Sequence, residues 1–327
     1  MLQMQGHEVS GISLNPEKKS LFAQCELDDI FKYDLRIDIR NKKNISGAIN
    51  IVNPEVIIHL AAQSLVGNSY DNPIETFETN VMGTLNILET SRNLSNLKAI
   101  LIVTTDKVYK NHESIRGFVE SDALGGGDPY SASKAAADIA AQSWIKSFGL
   151  VPICIARAGN VVGGGDWASN RIIPDLVNAF SKNEPVSLRN PKAIRPWQHV
   201  LDCLNGYLIL IQEMLNSDKT GEWNFGPSLE ETYSVEMLVE GFARDWGLRT
   251  KSWVLDSKQY PGETSQLLLN SDKSRQLLNW RDLLSFEQTI QLTVAWYKEV
   301  GIGNFREVTL KQIAYFMDLQ KLESKNK

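Results

Sequence analysis

The first half of the chain alternates short, almost wholly apolar segments with helical ones. A strand without a polar face must be covered on both sides, as in a parallel sheet with helices on both faces. Helical periodicity occurs over 73–92, and an alanine-rich segment opened by a proline covers 129–149. We therefore predict an α/β fold with a doubly wound parallel sheet and right-handed crossovers. The predicted strands are HEVSGISL (7–14), PEVIIHLA (54–61), KAILIVTT (98–105) and VPICIARA (151–158).

The second half has a different pattern, with clustered glycines at 163–165 and four prolines between 171 and 197. It predicts a return of the chain to the sheet and a smaller, more irregular lobe. A short strand is predicted over GEWNFGP (221–227). The predicted helices are 199–216, 234–247, 285–300 and 305–325.

The first residues lack the opening of a dinucleotide-binding fold, in which a strand leads through a glycine-rich turn into a helix. No GxGxxG or GxxGxxG occurs, and MLQMQGHEVSGISL has the pattern of a helix end, a turn at Gly6 and a second strand. We therefore expect the first strand and the phosphate loop to be absent, leaving two unpaired strand edges. A truncated or mis-started chain would explain this, as would a natural variant that has lost cofactor binding.

Charge and composition exclude several classes of protein. The net charge of −5 comes without a basic block, which disfavours nucleic-acid binding. No apolar run approaches the ~18 residues of a membrane span, and no secretory signal pattern opens the chain. Three cysteines without a CxxC motif disfavour disulfides and zinc and fit a cytoplasmic location. The four histidines lack metal-ligand spacing, so no metal is predicted.

Three short segments carry chemistry. Tyr130 and Lys134 share one helix face, where a lysine would lower the tyrosine pKa toward neutrality and make it a general base; a surface pair would give the same spacing. In TTDKVY (104–109), polar residues follow a buried strand, where they could bind a ligand or cap a helix. The small residues of HLAAQS (59–64) would let a nicotinamide ring or sugar approach, although helix–sheet packing also favours them.

Taken together, the motifs resemble the extended short-chain dehydrogenase/reductase superfamily. Within it they most resemble the branch of CDP-glucose 4,6-dehydratases, from Gly6 to about Trp280. The two most specific segments are RAGNVVGGGDW and RPWQHV. The other segments are HLAAQSLV, NVMGTLN, TTDKVY, YSASK, RNPKAI and WNFGP.

The resemblance implies a catalytic cycle in which NAD stays bound. Tyr130 would take the proton of the sugar C4 hydroxyl while a hydride leaves C4, and Lys134 would hold the nicotinamide ribose. Thr105 would bind the C4 oxygen, and Asp106 would donate a proton to the departing C6 hydroxyl. The product would be a 4-keto-6-deoxy sugar nucleotide.

Lys107 stands where the related dTDP-glucose enzymes have a glutamate that acts as the C5 base. A charged lysine cannot accept a proton. It would have to lose its charge through desolvation and neighbouring cations, or act by stabilising the enolate. An ion pair with Asp106 is an equally good interpretation.

The resemblance also implies the binding residues. Arg195 would contact the diphosphate of CDP-glucose, and Arg189 would lie near the cytosine. In the cofactor site, Asn15 stands where an acidic residue would bind the adenine ribose hydroxyls. The substrate candidates are Gln63, Ser64, Asn160, Arg171, Arg189 and Arg195. The NAD candidates are Asp38, Ile39, Leu60, Ala61, Ala62, Asn80, Thr104, Tyr130 and Lys134.

The predicted organisation is a Rossmann-type domain of residues 1–158 and 198–226, with a discontinuous substrate lobe of residues 159–197 and 227–327. By family analogy the helices 73–92 and 129–149 would pair with their copies in a homodimer, although burial under the sheet would give the same periodicity. Two other functions stay open. One is a C4 epimerase or another dehydratase of the same fold, and the other is a non-catalytic remnant that binds a nucleotide sugar.

Overall fold

A computed structural model of the chain describes residues 1–111, 116–149, 151–230, 232–256, 264–301 and 304–325. The strands are β1 Gly11–Ser13, β2 Asp34–Arg36, β3 Val56–His59, β4 Ala99–Val103, β5 Ile153–Ala158, β6 Val161–Val162, β7 Val186–Leu188, β8 Ile194–Arg195, β9 Gln198–His199, β10 Gly221–Phe225, β11 Tyr233–Ser234 and β12 Trp253–Leu255. The helices are α1 Leu21–Gln24, α2 Lys42–Val52, α3 Val66–Asp71, α4 Pro73–Phe77, α5 Gly83–Ser91, α6 Pro129–Phe148, α7 Ile172–Phe180, α8 Val200–Ser217, α9 Val235–Trp246, α10 Asp272–Leu277, α11 Phe286–Glu299 and α12 Phe305–Lys325.

The central sheet has four parallel strands in the order β10-β5-β4-β3. Successive residues of β4 enter opposite layers: Leu101 packs in a cluster with α8, whereas Ile100 and Ile102 pack in a cluster with α5 and α6. This alternation explains why the strand needs no polar face. The predicted doubly wound α/β fold is confirmed.

β1 and β2 form a separate parallel pair. Within the described part of the chain, no strand joins β1 to β3, which is paired only with β4. Side chains of β1 and of most of β3 are only partly buried, in contrast to those of β4 and β5. In the described residues, β1 and β3 therefore each have one unpaired edge, as the sequence predicts, and β1 is shorter than the expected 7–14 segment.

The helix predicted over 73–92 is interrupted. A π-helical turn, Glu78–Met82, separates α4 from α5. Asn80 lies in this turn, is 2% exposed, and donates a hydrogen bond to the Ser133 hydroxyl of α6 at 2.8 Å. The extra residue in the turn rotates Asn80 inward, as π-bulges do at many functional sites. The apolar periodicity alone did not indicate the interruption.

A second core lies around Trp296 of α11 and includes residues of α7, α9 and β7. The glycine cluster packs directly on it, since a Cβ placed on Gly164 would stand 2.1 Å from the Trp296 ring. The helix α7 and the strands β7 and β8 occupy a region that the prolines had suggested to be irregular. The boundaries predicted for the two domains stay a prediction.

No helix in the described ranges is both long enough and apolar enough to cross a membrane. The three cysteines, Cys25, Cys154 and Cys203, are buried and carry free thiols.

Candidate active site

Tyr130 and Lys134 lie in the first turns of α6. The helix begins at Pro129, and the Asp128 carboxylate caps it by accepting hydrogen bonds from the backbone amide and the hydroxyl of Ser131, at 2.9 and 2.6 Å. Both side chains are nearly buried, at 9% and 8% exposure, and the Lys134 ammonium donates to the Val103 carbonyl at 2.9 Å. The N-cap and this bond fix where both polar groups stand.

The turn after β4 carries Thr105, Asp106 and Lys107. The Thr105 hydroxyl caps a short 3₁₀ turn, Asp106–Val108, and donates to Asp106 Oδ1 at 3.0 Å. Asp106 is 2% exposed, and its Oδ2 has no hydrogen-bond partner in the described ranges of the chain. Thr105 is within hydrogen-bond reach of the Tyr130 phenol, and the Asp106 charge acts on that phenol. The site therefore brings Thr105, Asp106, Tyr130 and Lys134 together, as the sequence predicts.

Burial sets the acid–base state of these groups. Desolvation raises the pKa of Tyr130 to about 12, against an interaction with the Thr105 side chain that lowers it. Burial lowers the pKa of Lys134 to about 8. The structure does not show the expected lowering of the tyrosine pKa, because the lysine is directed at the Val103 carbonyl and burial raises the pKa.

Asp106 is the carboxyl group with the clearest functional signature. Burial raises its pKa to about 6, although the charges of Lys107 and Arg195 and the hydrogen bond from Thr105 lower it. A carboxyl group with such a pKa is partly protonated near neutral pH and can donate a proton. Its unpartnered Oδ2 supplies a free position for a hydroxyl group.

Some of the predicted cofactor residues are accessible to a ligand, whereas others are hydrogen-bonded to neighbouring residues of the protein. Leu60 is 55% exposed, and the small Ala61 and Ala62 beside it are partly buried at the carboxyl end of β3. By contrast, the Thr104 hydroxyl donates to Asp138 at 3.0 Å. Asn80 also accepts from the Gln63 amide at 2.8 Å, so it holds the β3 loop against α6.

Asp38 and Ile39 lie after β2. Four hydrogen bonds from Arg40 engage the Asp38 carboxylate, and these bonds lower its pKa. Ile39 is buried against α5, where a Cβ on Gly83 would stand 2.4 Å from its side chain. Asn15, which follows β1, is exposed. Contact of Asp38 and Ile39 with adenine stays a prediction.

Among the predicted substrate residues, Arg171 connects the loop after β3 with the loop before α7. Its guanidinium donates to Ser64 Oγ at 2.9 Å and to Asp166 at 3.2 Å, and its charge acts on Tyr130. Arg195 donates to the Ile194 and Thr264 carbonyls, each at 2.8 Å, and acts on Asp106. Both arginines therefore lie near the catalytic groups.

The other substrate candidates are less directly placed. The Gln63 side chain bonds to Leu65 and to the Thr76 hydroxyl, which stabilises its own loop. Asn160 is partly buried and accepts the Gln198 amide through its backbone carbonyl. Arg189 is exposed after β7, close enough to Asp175 for their charges to interact. Their contacts with a substrate stay predictions.

Known proteins resemble this chain over most of its length. The model of the GDP-mannose 4,6-dehydratase family matches residues 1–293. The chain belongs to the GDP-mannose 4,6-dehydratase family. It is 40% identical over 308 residues to CDP-glucose 4,6-dehydratase of Salmonella typhimurium, covering 91% of this chain and 85% of that protein. It is 30% identical over 277 residues to a probable dTDP-glucose 4,6-dehydratase of Sinorhizobium fredii, covering 82% and 79%.

Solved structures share the fold of this dehydratase-family chain. The dTDP-glucose 4,6-dehydratase of Bacillus anthracis in complex with NAD has a TM-score of 0.76 and 24% identity, covering 91% of each chain. The UDP-glucose 4-epimerase of Thermotoga maritima with UDP-glucose has a TM-score of 0.79 and 19% identity, covering 91% of this chain and 93% of that one. Since dehydratases and epimerases share the fold, the site residues must distinguish the reactions.

Two residues behind the site of this dehydratase-family chain were not predicted, Asp138 and Arg157. Both side chains are fully buried and form a two-pronged ion pair, with nitrogen–oxygen distances of 2.7 and 2.8 Å. Two signals in the sequence could have found them. Asp138 is four residues after Lys134 on the same helix face, and Arg157 is the charged residue within the apolar strand ICIARA.

The described residues contain no group of three or more histidine, cysteine, aspartate or glutamate side chains arranged to hold a metal ion. The polar groups of the site are instead hydroxyls, a carboxyl and amines. This donor set suits proton transfer to and from a sugar.

Proposed function

We propose that this chain converts CDP-glucose to CDP-4-dehydro-6-deoxy-D-glucose with NAD as its cofactor. The observation that carries the proposal is the buried Asp106 beside Tyr130, with an unpartnered Oδ2 and a pKa raised by burial to about 6. Elimination of water requires an acid at the C6 hydroxyl, whereas C4 epimerisation removes no hydroxyl. The 40% identical CDP-glucose 4,6-dehydratase supports the choice of substrate.

The first step takes place at C4. Tyr130 removes the proton of the C4 hydroxyl, and the Thr105 hydroxyl binds the same oxygen. Burial favours the protonated phenol, since it raises the pKa of Tyr130 to about 12. The positive charge of Lys134 would stabilise the phenolate once substrate is bound.

The second step removes water across C5 and C6. The C4 ketone acidifies the C5 proton, and Asp106 supplies a proton to the C6 hydroxyl as the C6–O bond breaks. Lys107 is partly buried beside Asp106 and either stabilises the enolate or, when uncharged, accepts the C5 proton. A proton then returns to C5 as C6 is reduced, so the net change is the loss of one water.

The residues around Tyr130 fit the nicotinamide end of NAD. NAD held there would supply the hydride acceptor for C4 and the hydride donor for C6. The Lys134 ammonium has further N–H groups beyond the one directed at Val103, and these can hold a ribose hydroxyl. The small Ala61 and Ala62 leave space for a flat ring. No GxGxxG or GxxGxxG occurs in the sequence to cradle the NAD diphosphate.

The substrate diphosphate would lie between Arg195 and Arg171. Forked guanidinium groups bind diphosphate oxygens well. Both arginines act electrostatically on the proposed catalytic groups, Arg195 on Asp106 and Arg171 on Tyr130, which supports a role for them in binding the sugar nucleotide. The exposed Arg189, next to Asp175, would meet the cytosine.

The test is to incubate the purified chain with CDP-glucose and graded concentrations of NAD, and to follow the sugar by NMR. We expect a 4-keto-6-deoxy product, with UDP-glucose and dTDP-glucose as poorer substrates. The variant Asp106→Asn should still oxidise C4 but should lose elimination by ~10²–10⁴-fold. Inversion at C4 without loss of water would instead identify an epimerase, and tight binding without turnover at saturating NAD would identify a non-catalytic protein.

We infer further that the chain forms a homodimer through α4 and α6. These two helices pack side by side, and apolar side chains project from them and from the π-helical turn: Ile74 is 71% exposed, Ile139 54% and Met82 50%. A second copy of the same surface would bury them in a four-helix bundle. Sedimentation of the wild type and of Ile74→Glu tests this, with a monomeric variant as the expected result.

We also propose that the protein works in the cytoplasm. Its three free thiols are all buried, and this suits a reducing compartment. Fractionation of cells that produce the tagged chain would test the location, and recovery outside the cytoplasmic fraction would contradict it.

A further inference from the structure

The Asp138 carboxylate accepts four hydrogen bonds and is 0% exposed. Arg157 Nη2 and the Gln142 side-chain amide donate to Oδ1, at 2.7 and 2.8 Å. Arg157 Nε and the Thr104 hydroxyl donate to Oδ2, at 2.8 and 3.0 Å. A carboxylate has about four lone-pair positions, so this one is saturated and has no role as a proton donor or acceptor.

The third guanidinium nitrogen of Arg157 bonds to residues that follow the 3₁₀ turn Asp106–Val108. Its Nη1 donates to the Tyr109 hydroxyl and to the Glu120 carbonyl, both at 2.9 Å. The Tyr109 hydroxyl in turn donates to Asn224 Oδ1 at 2.6 Å. Tyr109 is 2% exposed and stacks on Phe118, with ring centroids 5.0 Å apart, so its position is fixed by packing as well.

Thr104 and Tyr109 are the residues on either side of the segment 105–108. The ion pair therefore holds both ends of this segment: Asp138 binds Thr104, and Arg157 binds Tyr109. Asp138 also belongs to α6, two turns after Tyr130 and one after Lys134. One buried pair thus connects the two elements that carry all the groups assigned to the reaction.

We propose that the Asp138–Arg157 pair positions the catalytic groups, by fixing Tyr130 and Lys134 on α6 relative to Thr105 and Asp106 after β4. The proposal rests on the proposed function for its kinetic consequences, but the structural linkage does not depend on it. Under this proposal Thr104 is a positioning residue, whose hydroxyl acts through Asp138.

The pair has an electrostatic consequence for Lys134. Among the described residues, the titratable groups that interact electrostatically with Lys134 include Asp138 on α6 and His59 at the end of β3. Burial lowers the pKa of Lys134 to about 8, and the Asp138 charge opposes that fall. His59 is kept neutral because burial lowers its pKa to about 3. Removal of the Asp138 charge should therefore lower the Lys134 pKa further.

The first experiment titrates Lys134 in the full chain by NMR, with lysine labelled at the ε-carbon and the resonance assigned through Lys134→Arg. In Asp138→Asn we expect its midpoint to move down by about one pH unit, a ~10-fold change in the protonation equilibrium. The control is Asp282→Asn, which breaks a partly exposed pair outside α6 and the segment 105–108, Asp282–Arg275 at 2.6 Å. An unmoved Lys134 midpoint in Asp138→Asn would overturn the electrostatic coupling.

The second experiment separates positioning from stability with two milder variants. Thr104→Val removes the bond between Asp138 and β4, and Gln142→Leu removes a bond to the same carboxylate from within α6. We expect kcat of Thr104→Val to fall ~10-fold or more with KM nearly unchanged, because displaced catalytic groups lower the rate of chemistry. Gln142→Leu should change kcat less than about twofold, since it leaves both elements connected.

The outcomes distinguish the possible failures. Equal kcat values for the two variants would show that the pair only stabilises the fold. A weaker NAD affinity of Thr104→Val, with kcat unchanged at saturating NAD, would return Thr104 to the cofactor site and overturn its role here. If the wild type does not turn over CDP-glucose, the proposed function fails, while the Lys134 titration still tests the coupling to Asp138.

Discussion

The central sheet at its inner strands β4 and β5 (the β4–β5 end of the site) and the separate β1–β2 pair (the β1–β2 end) differ in how firmly their polar groups are held. At the β4–β5 end, Asp138 and Arg157 are fully buried and every bond of the pair is made inside the protein. At the β1–β2 end, the Arg36–Asp34 pair is partly exposed, and β1 has one strand partner. The β4–β5 end is therefore preorganised, whereas the β1–β2 end is held by few contacts.

If β1–β2 contributes to cofactor binding as proposed, the chemistry and the cofactor binding are supported by separate parts of the fold. Preorganised groups act on a reaction because their positions are fixed before the substrate arrives. Elements with few buried contacts open more readily and stabilise a ligand less. We therefore expect the geometry of the proposed catalytic groups to persist when the β1–β2 end is perturbed. Perturbation of the β4–β5 end should, in contrast, also disturb the β1–β2 end.

The largest effect should come from Tyr130→Phe at the preorganised end. Loss of the general base should lower kcat by ~10²–10⁴-fold, while the fold is retained because the phenol makes few structural bonds. Dehydration of CDP-glucose at saturating NAD measures this. Tyr70→Phe, at a side chain that is 55% exposed, is the control and should keep full activity. Equal rates for the two variants would remove Tyr130 from the mechanism.

A direct comparison of the two ends uses Arg157→Met and Arg36→Met. The first leaves the buried Asp138 without its charge partner and should lower the free energy of unfolding by ~3–5 kcal/mol. The second removes a partly exposed ion pair and should cost about 1 kcal/mol or less. Urea unfolding of both variants measures the difference. Similar costs would show that the ends are held equally firmly.

Asp106→Asn should stabilise the protein above pH 6. Burial raises the native pKa of Asp106 from 3.8 to about 6. Between these two pH values, the folded state therefore binds more protons than the unfolded state. Its contribution to stability is therefore present below pH 4 and lost as the pH rises to about 6. The asparagine variant does not lose this stability. We expect the difference in free energy of unfolding between the variant and the wild type to be up to about 3 kcal/mol larger at pH 7 than at pH 4. A pH-independent difference would contradict the raised pKa.

The smallest effect concerns exchange of backbone amides. Those of β1, such as Ile12, should exchange about tenfold faster or more than those of β4, such as Leu101, because a strand with one partner opens locally. Hydrogen exchange followed by mass spectrometry measures this on the wild type. Equal protection would mean that β1–β2 opens only with the whole protein.

The sequence predicted the features that depend on local pattern. Apolar segments without a polar face required a doubly wound sheet, and the strands over 98–105 and 151–158 became β4 and β5 nearly at their predicted bounds. The spacing of Tyr130 and Lys134 placed both on one face of α6, and the position of Thr105 and Asp106 at a strand end placed them nearby. These predictions succeed because periodicity and strand direction act over a few residues.

Only the tertiary structure decided the state and the support of those groups. The Tyr130 pKa depends on how deeply the phenol is buried and where the Lys134 ammonium is directed, which helix spacing does not determine. The role of Thr104 depends on Asp138, a partner 34 residues away. The π-helical turn at Asn80 likewise depends on a bond to Ser133, 53 residues away. Desolvation and long-range hydrogen bonding are properties of the packed chain, whereas the sequence by itself fixes which residues are available to be packed.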